Sequence, residues 1–279
     1  MIATMIATPI IHHPADWHLG FLHLSGFGMA MVAAFGIAHF VSQEVLVQRG
    51  DDPEIMNDVT FAALVGTILG AKTYLAILKG DFRVFLSTYG FVFWGGFIGA
   101  VVLCAAVIAW RKRSFLRIAD GTAVGIAAGY AIGRTGCWAV GDDYGRVYDG
   151  PLAVAFPNGL PPTTALVMNT EYHANLPVML SPDRVVSVYP TQLLEVALGL
   201  VMFAILWRLR RHTHGTGWLF GMYCLLAGVE RFAVEFLRAK SDMIGAVTSA
   251  QIVALGVAAV GVMLLTWRRN SAPALEAAR

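Results

Sequence analysis

Residues 90–110, GFVFWGGFIGAVVLCAAVIAW, contain no charged side chain. A helix of this length crosses the hydrocarbon core of a bilayer, which takes about 20 apolar residues at 1.5 Å per residue. Other segments on both sides share this length and polarity. The predicted spans are about 20–40, 60–78, 90–110, 118–138, 190–208, 216–236 and 247–267. The sequence therefore predicts seven transmembrane helices.

The composition agrees with a membrane protein. Hydrophobic residues make up 57% of the 279 positions and charged residues only 14%, whereas about 25% of an ordinary soluble domain is charged. The predicted spans lack the alternation of a barrel strand, so helices are expected. A net charge of +2 does not suggest a nucleic-acid surface. We therefore expect an all-α polytopic membrane protein with lipid neighbours and no nucleic-acid partner.

The connections between the predicted spans define the domains. Residues 139–189 are too long for a bare connector, so we expect a small extracytoplasmic cap, with a short strand within 152–156. The N-terminal segment lacks a basic n-region and resembles an interfacial arm rather than a signal peptide. The divisions are 1–19 (arm), 20–138 (helices 1–4), 139–189 (cap), 190–267 (helices 5–7) and 268–279 (tail).

Lysine and arginine placement predicts the orientation. Most of these residues fall in the connections that are cytoplasmic if the N-terminus is outside and the C-terminus inside. They are Arg49, Arg111, Lys112, Arg113, Arg117, Arg208, Arg210, Arg211, Arg268, Arg269 and Arg279.

Three cations lie inside predicted spans, each within about 10 Å of the outer end: Lys72, Arg134 and Arg231. Glu235 follows Arg231 by four residues and can pair with it. The alternative is a purely structural ion pair together with a snorkelling Lys72. Three cations against one carboxylate predict a net positive pocket for an anionic headgroup, since arginine holds phosphate bidentately. Other polar residues of this half are His23, Ser25, Trp94, Gln192 and Glu195.

Glycines recur at helical spacing in several spans. Such ridges usually serve helix packing, although a groove for an acyl chain is compatible with the same pattern. The glycines are Gly66, Gly70, Gly95, Gly99, Gly121, Gly125, Gly129 and Gly133.

Four motifs occur in order: FWGGFIG at 93–99, GRTGCWAVGDDYGR at 133–146, YPTQLLE at 189–195 and RFAVEFLR at 231–238. They resemble the FHGGLIG segment, the GRxGN signature with its acidic and aromatic–glycine positions, the HPSQLYE segment and the RxxxEFFR segment of prolipoprotein diacylglyceryl transferases. The resemblance extends over most of the chain.

The resemblance implies an enzyme of the bacterial cytoplasmic (inner) membrane that needs no cofactor. Such an enzyme transfers diacylglyceryl from phosphatidylglycerol to the lipobox cysteine in the signal-peptide region of a prolipoprotein, releasing glycerol phosphate. Arg134 and Arg231 would hold the phosphate, and Glu235 would orient Arg231. The residues expected to line the substrate site are Lys72, Trp94, Gly95, Gly96, Gly136, Cys137, Asp142, Tyr144, Gly145, Arg146, Gln192 and Glu195.

Three positions depart from the family pattern. Trp94 replaces a histidine, Cys137 an asparagine and Ser25 a tyrosine. A thiol acceptor needs a base, and Trp94 cannot serve. His23 is the first substitute, followed by Asp142 and Asp143 at the loop edge. A covalent role for Cys137 is disfavoured, because a buried thiol is inert unless a cation lowers its pKa.

Two alternatives to prolipoprotein modification stay open at this point. The first is a paralogue that uses the same lipid donor with a different acceptor. The second is a catalytically silent phospholipid-binding protein. A metal enzyme is not expected, because Cys104, Cys137 and Cys224 show neither CxxC nor zinc spacing.

Overall fold

The computed structural model describes residues 10–19, 22–87, 92–177, 179–239, 243–244 and 247–268. These residues are mostly helical. The helices are α1 (Gly26–Gln48), α2 (Ile55–Lys79), α3 (Phe93–Trp110), α4 (Phe115–Val140), α5 (Ala165–Thr170), α6 (Thr191–Leu209), α7 (Trp218–Val234) and α8 (Ser249–Arg268), with a short 3₁₀ helix at Phe82–Leu86.

The chain is mostly helical, as predicted, and short strands lie in the connections between the helices. They are β1 (Ile10–Ile11), β2 (Asp16–Leu19), β3 (Leu22–Ser25), β4 (Val154–Ala155), β5 (Ser187–Val188), β6 (Met243–Ile244) and β7 (Val247–Thr248). The larger sheet has the order β1-β4-β5, with β1 parallel to β4, and two hairpins join β2 to β3 and β6 to β7. Non-helical backbone needs partners, and the N-terminal arm finds them in the connection after α4. The strand predicted within 152–156 is confirmed as β4.

Six helices are long and apolar enough to cross a bilayer: α1, α2, α3, α4, α6 and α8. The prediction of a multi-pass membrane protein is therefore confirmed. Helix α7 falls in the predicted span 216–236 but has only 17 residues. The predicted start of the first span at 20 is wrong, because Ser25 caps α1 by accepting a hydrogen bond from the backbone N–H of Gly28 at 3.1 Å.

Helix α4 packs against α1, α6 and α7, while α2 pairs with α3 and α7 with α8. The glycine ridges allow these close approaches. A Cβ on Gly70 would lie 2.2 Å from the carbonyl oxygen of Gly95, and a Cβ on Gly125 would lie 2.1 Å from Ser42 Oγ. Helix packing therefore accounts for the glycine ridges of α2 and α4.

A buried carboxylate fixes α7 on α4 at the end away from Arg134. Asp120 accepts hydrogen bonds from the backbone N–H groups of Gly217 and Phe220 at 2.7 and 2.8 Å, and from Arg49 Nη2 at 3.1 Å. It satisfies orphan donors at the start of α7. This contact sets the register in which α7 presents Arg231 beside α4.

A candidate anion-binding site at the end of α4

Arg134 lies near the end of α4 and is surrounded by acceptors. Gly141, at φ +73, closes the helix and turns the chain so that Asp143 reaches back to Arg134. Arg134 Nη1 donates to Asp143 Oδ2 at 2.8 Å and to Cys137 Sγ at 3.2 Å. Its Nη2 pairs with Glu195 of α6. One guanidinium thus joins α4, the following loop and α6.

A second arginine, Arg238, follows α7 and shares the same two carboxylates. Its Nη2 donates to Asp143 Oδ1 at 2.5 Å, and its Nη1 lies 3.5 Å from Glu195 Oε1. Asp143 and Glu195 therefore each bridge Arg134 and Arg238. Guanidinium groups from two separate parts of the chain meet here.

Arg231 joins this network through Glu235. Arg231 Nη1 lies 2.7 Å from Glu235 Oε2, and the same oxygen is 3.8 Å from Arg238 Nε. We call the whole set the arginine–carboxylate cluster; its members are Arg134, Asp143, Glu195, Arg231, Glu235 and Arg238.

The charge of the cluster differs from the expected net positive pocket. The described ion pairs set three arginines against three carboxylates. The depth of Arg134 within its own span does not indicate its partners. Asp143 lies in the following loop and Glu195 in α6, and both pair with Arg134. Carboxylates occupy both terminal nitrogens of Arg134, whereas its Nε is buried without a hydrogen-bond partner and is a donor that an anionic ligand could use.

Asp142 and Asp143 are adjacent, but their surroundings shift their pKa values in opposite directions. Burial, together with the charge of Asp143, raises the pKa of Asp142 to about 6. Burial also opposes ionisation of Asp143, but the nearby Arg238 and Arg134 outweigh it and lower its pKa to about 2. A carboxylate oxygen of Asp142 lies within 4.8 Å of Cys137 Sγ, and Asp142 Oδ1 is buried without a hydrogen-bond partner. A carboxyl with this pKa is largely ionised at neutral pH.

The start of α6 holds the aspartate loop in place. Gln192 Nε2 donates to the carbonyl oxygen of Asp142 at 2.6 Å, and Thr191 Oγ1 donates to that of Asp143 at 3.0 Å. Both side chains are buried. The TQLLE stretch thus supplies Glu195 to the cluster and fixes the backbone that presents Asp142.

One ligand atom each from Cys137, Asp142 and Asp143 lies within 4.8 Å of the others, a spacing that a metal ion could use. Two guanidinium groups already compensate Asp143. Ion pairing therefore accounts for this group of acceptors.

The family model described as prolipoprotein diacylglyceryl transferase matches residues 14–267 of this chain. The chain belongs to the prolipoprotein diacylglyceryl transferase family. It is 31% identical to a phosphatidylglycerol–prolipoprotein diacylglyceryl transferase of Paraburkholderia phymatum, a match covering 95% of this chain and 96% of the relative. A protein of the same name from Burkholderia thailandensis is 30% identical, with 96% and 100% covered.

Several residues predicted to line the substrate site of this diacylglyceryl transferase family member lie in helix contacts. A Cβ on Gly95 would lie 2.4 Å from the carbonyl oxygen of Gly70, and one on Gly96 would meet that of Thr67 at 3.2 Å. Gly136 packs on Ala30 of α1 in the same way, at 3.0 Å. Close helix packing accounts for all three glycines.

Lys72 lies seven residues before the end of α2, and Trp94 is the second residue of α3. The ammonium group of Lys72 donates to the carbonyl oxygens of Val84 and Ser87 at 3.2 and 2.7 Å and so holds the connection after α2. Trp94 is 40% exposed and meets the edge of Phe93. Its exposed indole occupies the position where the family has its histidine.

Residues 144–146 belong to the aromatic core of the α4–α6 connection. Tyr144 is buried, stacks on Phe156 and donates to the carbonyl oxygen of Pro161 at 3.0 Å. A Cβ on Gly145 would lie 2.6 Å from the carbonyl oxygen of Leu237. Arg146 is exposed, and its guanidinium lies 5.8 Å from the centre of the Tyr189 ring. The backbone of these residues anchors the segment that carries Arg238.

His23 lies in β3, opposite His18 of β2. Its side chain is outside the described residues, so a role as base stays a prediction.

The sequence analysis missed Arg238 as a site residue and did not consider Tyr130 or Glu230. Helical spacing contained a signal for Arg238, which follows Arg231 by seven residues and Glu235 by three. Glu230 carried the same signal as Arg231, an ionisable side chain in an apolar segment.

Proposed function

We propose that the chain transfers the diacylglyceryl group of phosphatidylglycerol to the lipobox cysteine of a prolipoprotein and releases glycerol phosphate. The supporting observation is that Arg134, Arg231 and Arg238, from α4 and from the end of α7, meet in one cluster. The substrate is inferred from the family, because relatives that match nearly the whole chain carry that activity in their names.

In the proposed reaction Arg134 and Arg231 bind the lipid phosphate, and Glu235 orients Arg231. The acceptor sulfur attacks the glycerol carbon of the diacylglyceryl group, and the carbon–oxygen bond to phosphate breaks. The electron pair stays on the leaving phosphate oxygen, so negative charge grows where the guanidinium donors point. A preorganised donor of this kind contributes about 3–4 kcal/mol to lowering a barrier.

Asp142 is the proposed base for the acceptor thiol. One of its carboxylate oxygens lies within 4.8 Å of Cys137 Sγ, which supports a position close to an acceptor sulfur. With a pKa of about 6 it is ionised near neutral pH and can accept the thiol proton. His23 is the other candidate, from β3.

Cys137 has no covalent part in this scheme. Attack by its thiol on the lipid would give a thioether, which a second thiol does not displace under these conditions. Its sulfur accepts a hydrogen bond from Arg134 at 3.2 Å. We therefore assign Cys137 to orienting Arg134, in the position of the family asparagine.

The proposed setting is the bacterial inner membrane, with the N-terminus outside and the C-terminus inside. Helix α7 is the sixth of seven spans in chain order and brings Arg231 to headgroup depth. Residues 139–189 form the extracytoplasmic cap, 1–19 the arm and 268–279 the cytoplasmic tail. The signal-peptide region of the acceptor then approaches the cluster from the cap side.

Incubation of the purified protein with labelled phosphatidylglycerol and a lipobox peptide tests this function. We expect glycerol phosphate and a modified peptide in equal amounts, and no product with a peptide whose cysteine is replaced by serine. Glycerol phosphate without peptide modification would support a different acceptor. Bound lipid without either product would support a silent phospholipid-binding protein and contradict the proposal.

A further inference from the structure

A second ionisable pair lies beside the arginine–carboxylate cluster and has no part in the scheme above. The hydroxyl of Tyr130 in α4 donates to Glu230 Oε1 in α7 at 3.0 Å. Tyr130 precedes Arg134 by four residues, which places it one turn, about 6 Å, deeper in the same helix. Glu230 directly precedes Arg231. The pair therefore forms the floor of the cluster.

The position of Tyr130 is set by packing. Its ring lies against α6, where a Cβ on Gly199 would be 3.0 Å from Tyr130 Cδ1. Gly199 is one turn after Glu195 in the same helix. The phenol is thus held between α6 and α7, with its hydroxyl directed at the Glu230 carboxyl.

The charged and titratable groups that act on Glu230 come from three helices. Helix α4 supplies Tyr130 and Arg134, α6 supplies Glu195, and α7 supplies Tyr223 and Arg231. Helix α8 packs on α7 but carries no titratable side chain in residues 249–267. The cations that compensate an ionised Glu230 are therefore Arg134 and Arg231, the same two that are proposed to bind the lipid phosphate.

Because Glu230 and the lipid phosphate share Arg134 and Arg231, the charges of the site have to be counted together. The ion pairs without ligand set three arginines against three carboxylates, Asp142 adds a fourth carboxyl beside Asp143, and Glu230 adds a fifth at the floor. A phosphodiester adds another negative charge and engages Arg134 and Arg231. Like charges in a poorly solvated site favour the neutral form of a carboxyl. Protonation on Oε2 leaves Oε1 free to accept from Tyr130, so the pair need not rearrange.

We propose that Glu230 takes up a proton when the lipid phosphodiester binds, and that Tyr130 holds its carboxyl in place in both forms. The inference rests on the proposed function, because it takes the donor phosphate to bind at Arg134 and Arg231. Glu230 is then the residue that lets an internally balanced cluster accept an anionic lipid.

Calorimetric titration of phosphatidylglycerol into the purified protein, repeated in buffers of different ionisation enthalpy, measures the protons taken up per lipid bound. We expect uptake by the wild-type protein and smaller uptake by Glu230→Gln. Glu44→Gln, which removes an exposed carboxyl of α1, should match the wild type. Within the pH range of uptake, wild-type affinity should fall by up to about tenfold per pH unit, and the Gln variant should show a flatter profile.

Tyr130→Phe tests the positioning residue. Loss of the hydroxyl removes a donor that favours the ionised carboxyl, so the pH range of uptake should move upward; an unmoved range would overturn the role of Tyr130. Lipid binding by the wild type without proton uptake, or equal uptake by wild type and Glu230→Gln, would overturn the proposal while leaving the transferase function intact. Failure of phosphatidylglycerol to bind at all would contradict both.

Discussion

Arg134 makes three separate contacts, to Asp143, Cys137 and Glu195, and so depends on the full fork of a guanidinium. Lysine keeps the charge but cannot hold two phosphate oxygens in one plane. We expect Arg134→Lys to lower turnover by about 10²–10³-fold, as loss of one preorganised donor does. Turnover in the peptide assay measures this.

Arg184→Lys is the matched control, because Arg184 is exposed in the connection between α5 and β5. Its turnover should equal that of the wild type. Wild-type turnover in Arg134→Lys would remove bidentate phosphate binding by Arg134 from the mechanism.

The pH profile of turnover tests Asp142. A base acts in its ionised form, so activity should rise with pH through about 6 and then level off. Asp142→Asn should abolish this limb and slow thiol transfer. A profile that keeps the limb in the variant would assign it to another group, with His23 the next to test.

At the scale of elements, the α2–α3 contact depends on glycine. A Cβ at Gly70 would approach the carbonyl oxygen of Gly95 to 2.2 Å, whereas a Cβ at Gly36 in α1 would meet nothing within 4 Å. We expect Gly70→Ala to destabilise the protein by about 1–3 kcal/mol through overpacking. Thermal unfolding in detergent should show a lower Tm for this variant.

Gly36→Ala is the control and should leave Tm unchanged or raise it, since alanine favours helix by up to about 1 kcal/mol. Equal Tm values for the two variants would mean that α2 and α3 do not approach as closely as described.

The elements were predictable where hydrophobic length decides them. The span predicted at 90–110 corresponds to α3 (Phe93–Trp110), which begins three residues later and ends at the predicted residue. An uncharged segment of that length has few alternatives to a membrane helix. The first helix begins later than predicted, because Ser25 caps α1 and the residues before it pair with β2. That pairing depends on contacts from elsewhere in the chain, which hydropathy does not report.

At the scale of the molecule, single residues of the site were predictable, but their pairing was not. Arg134 and Arg231 stood out because a charge in an apolar segment is unusual. Asp143 lies in a loop, where charges are ordinary, and Arg238 lies beyond α7, where its helical spacing from Arg231 and Glu235 was the signal that marked it. The balance of charge in the cluster emerged only once α4, α6 and the end of α7 were placed together.

The proposed orientation predicts which surfaces face the outside. We expect an impermeant maleimide to label Asp183→Cys on intact cells, and to label Arg211→Cys only after the membrane is opened; both positions are exposed. Cys137 and Cys224 are buried and Cys104 is half-buried, so the unsubstituted protein sets the background. The reverse labelling pattern would contradict the orientation.

The most direct measurement is a structure of the protein in a bilayer that contains phosphatidylglycerol. We expect the lipid phosphate within hydrogen-bonding distance of the guanidinium groups of both Arg134 and Arg231. We also expect the contacts of Arg134 to its carboxylate partners to be rearranged. A lipid phosphate bound elsewhere, with the ion pairs of Arg134 and Arg231 intact, would contradict it.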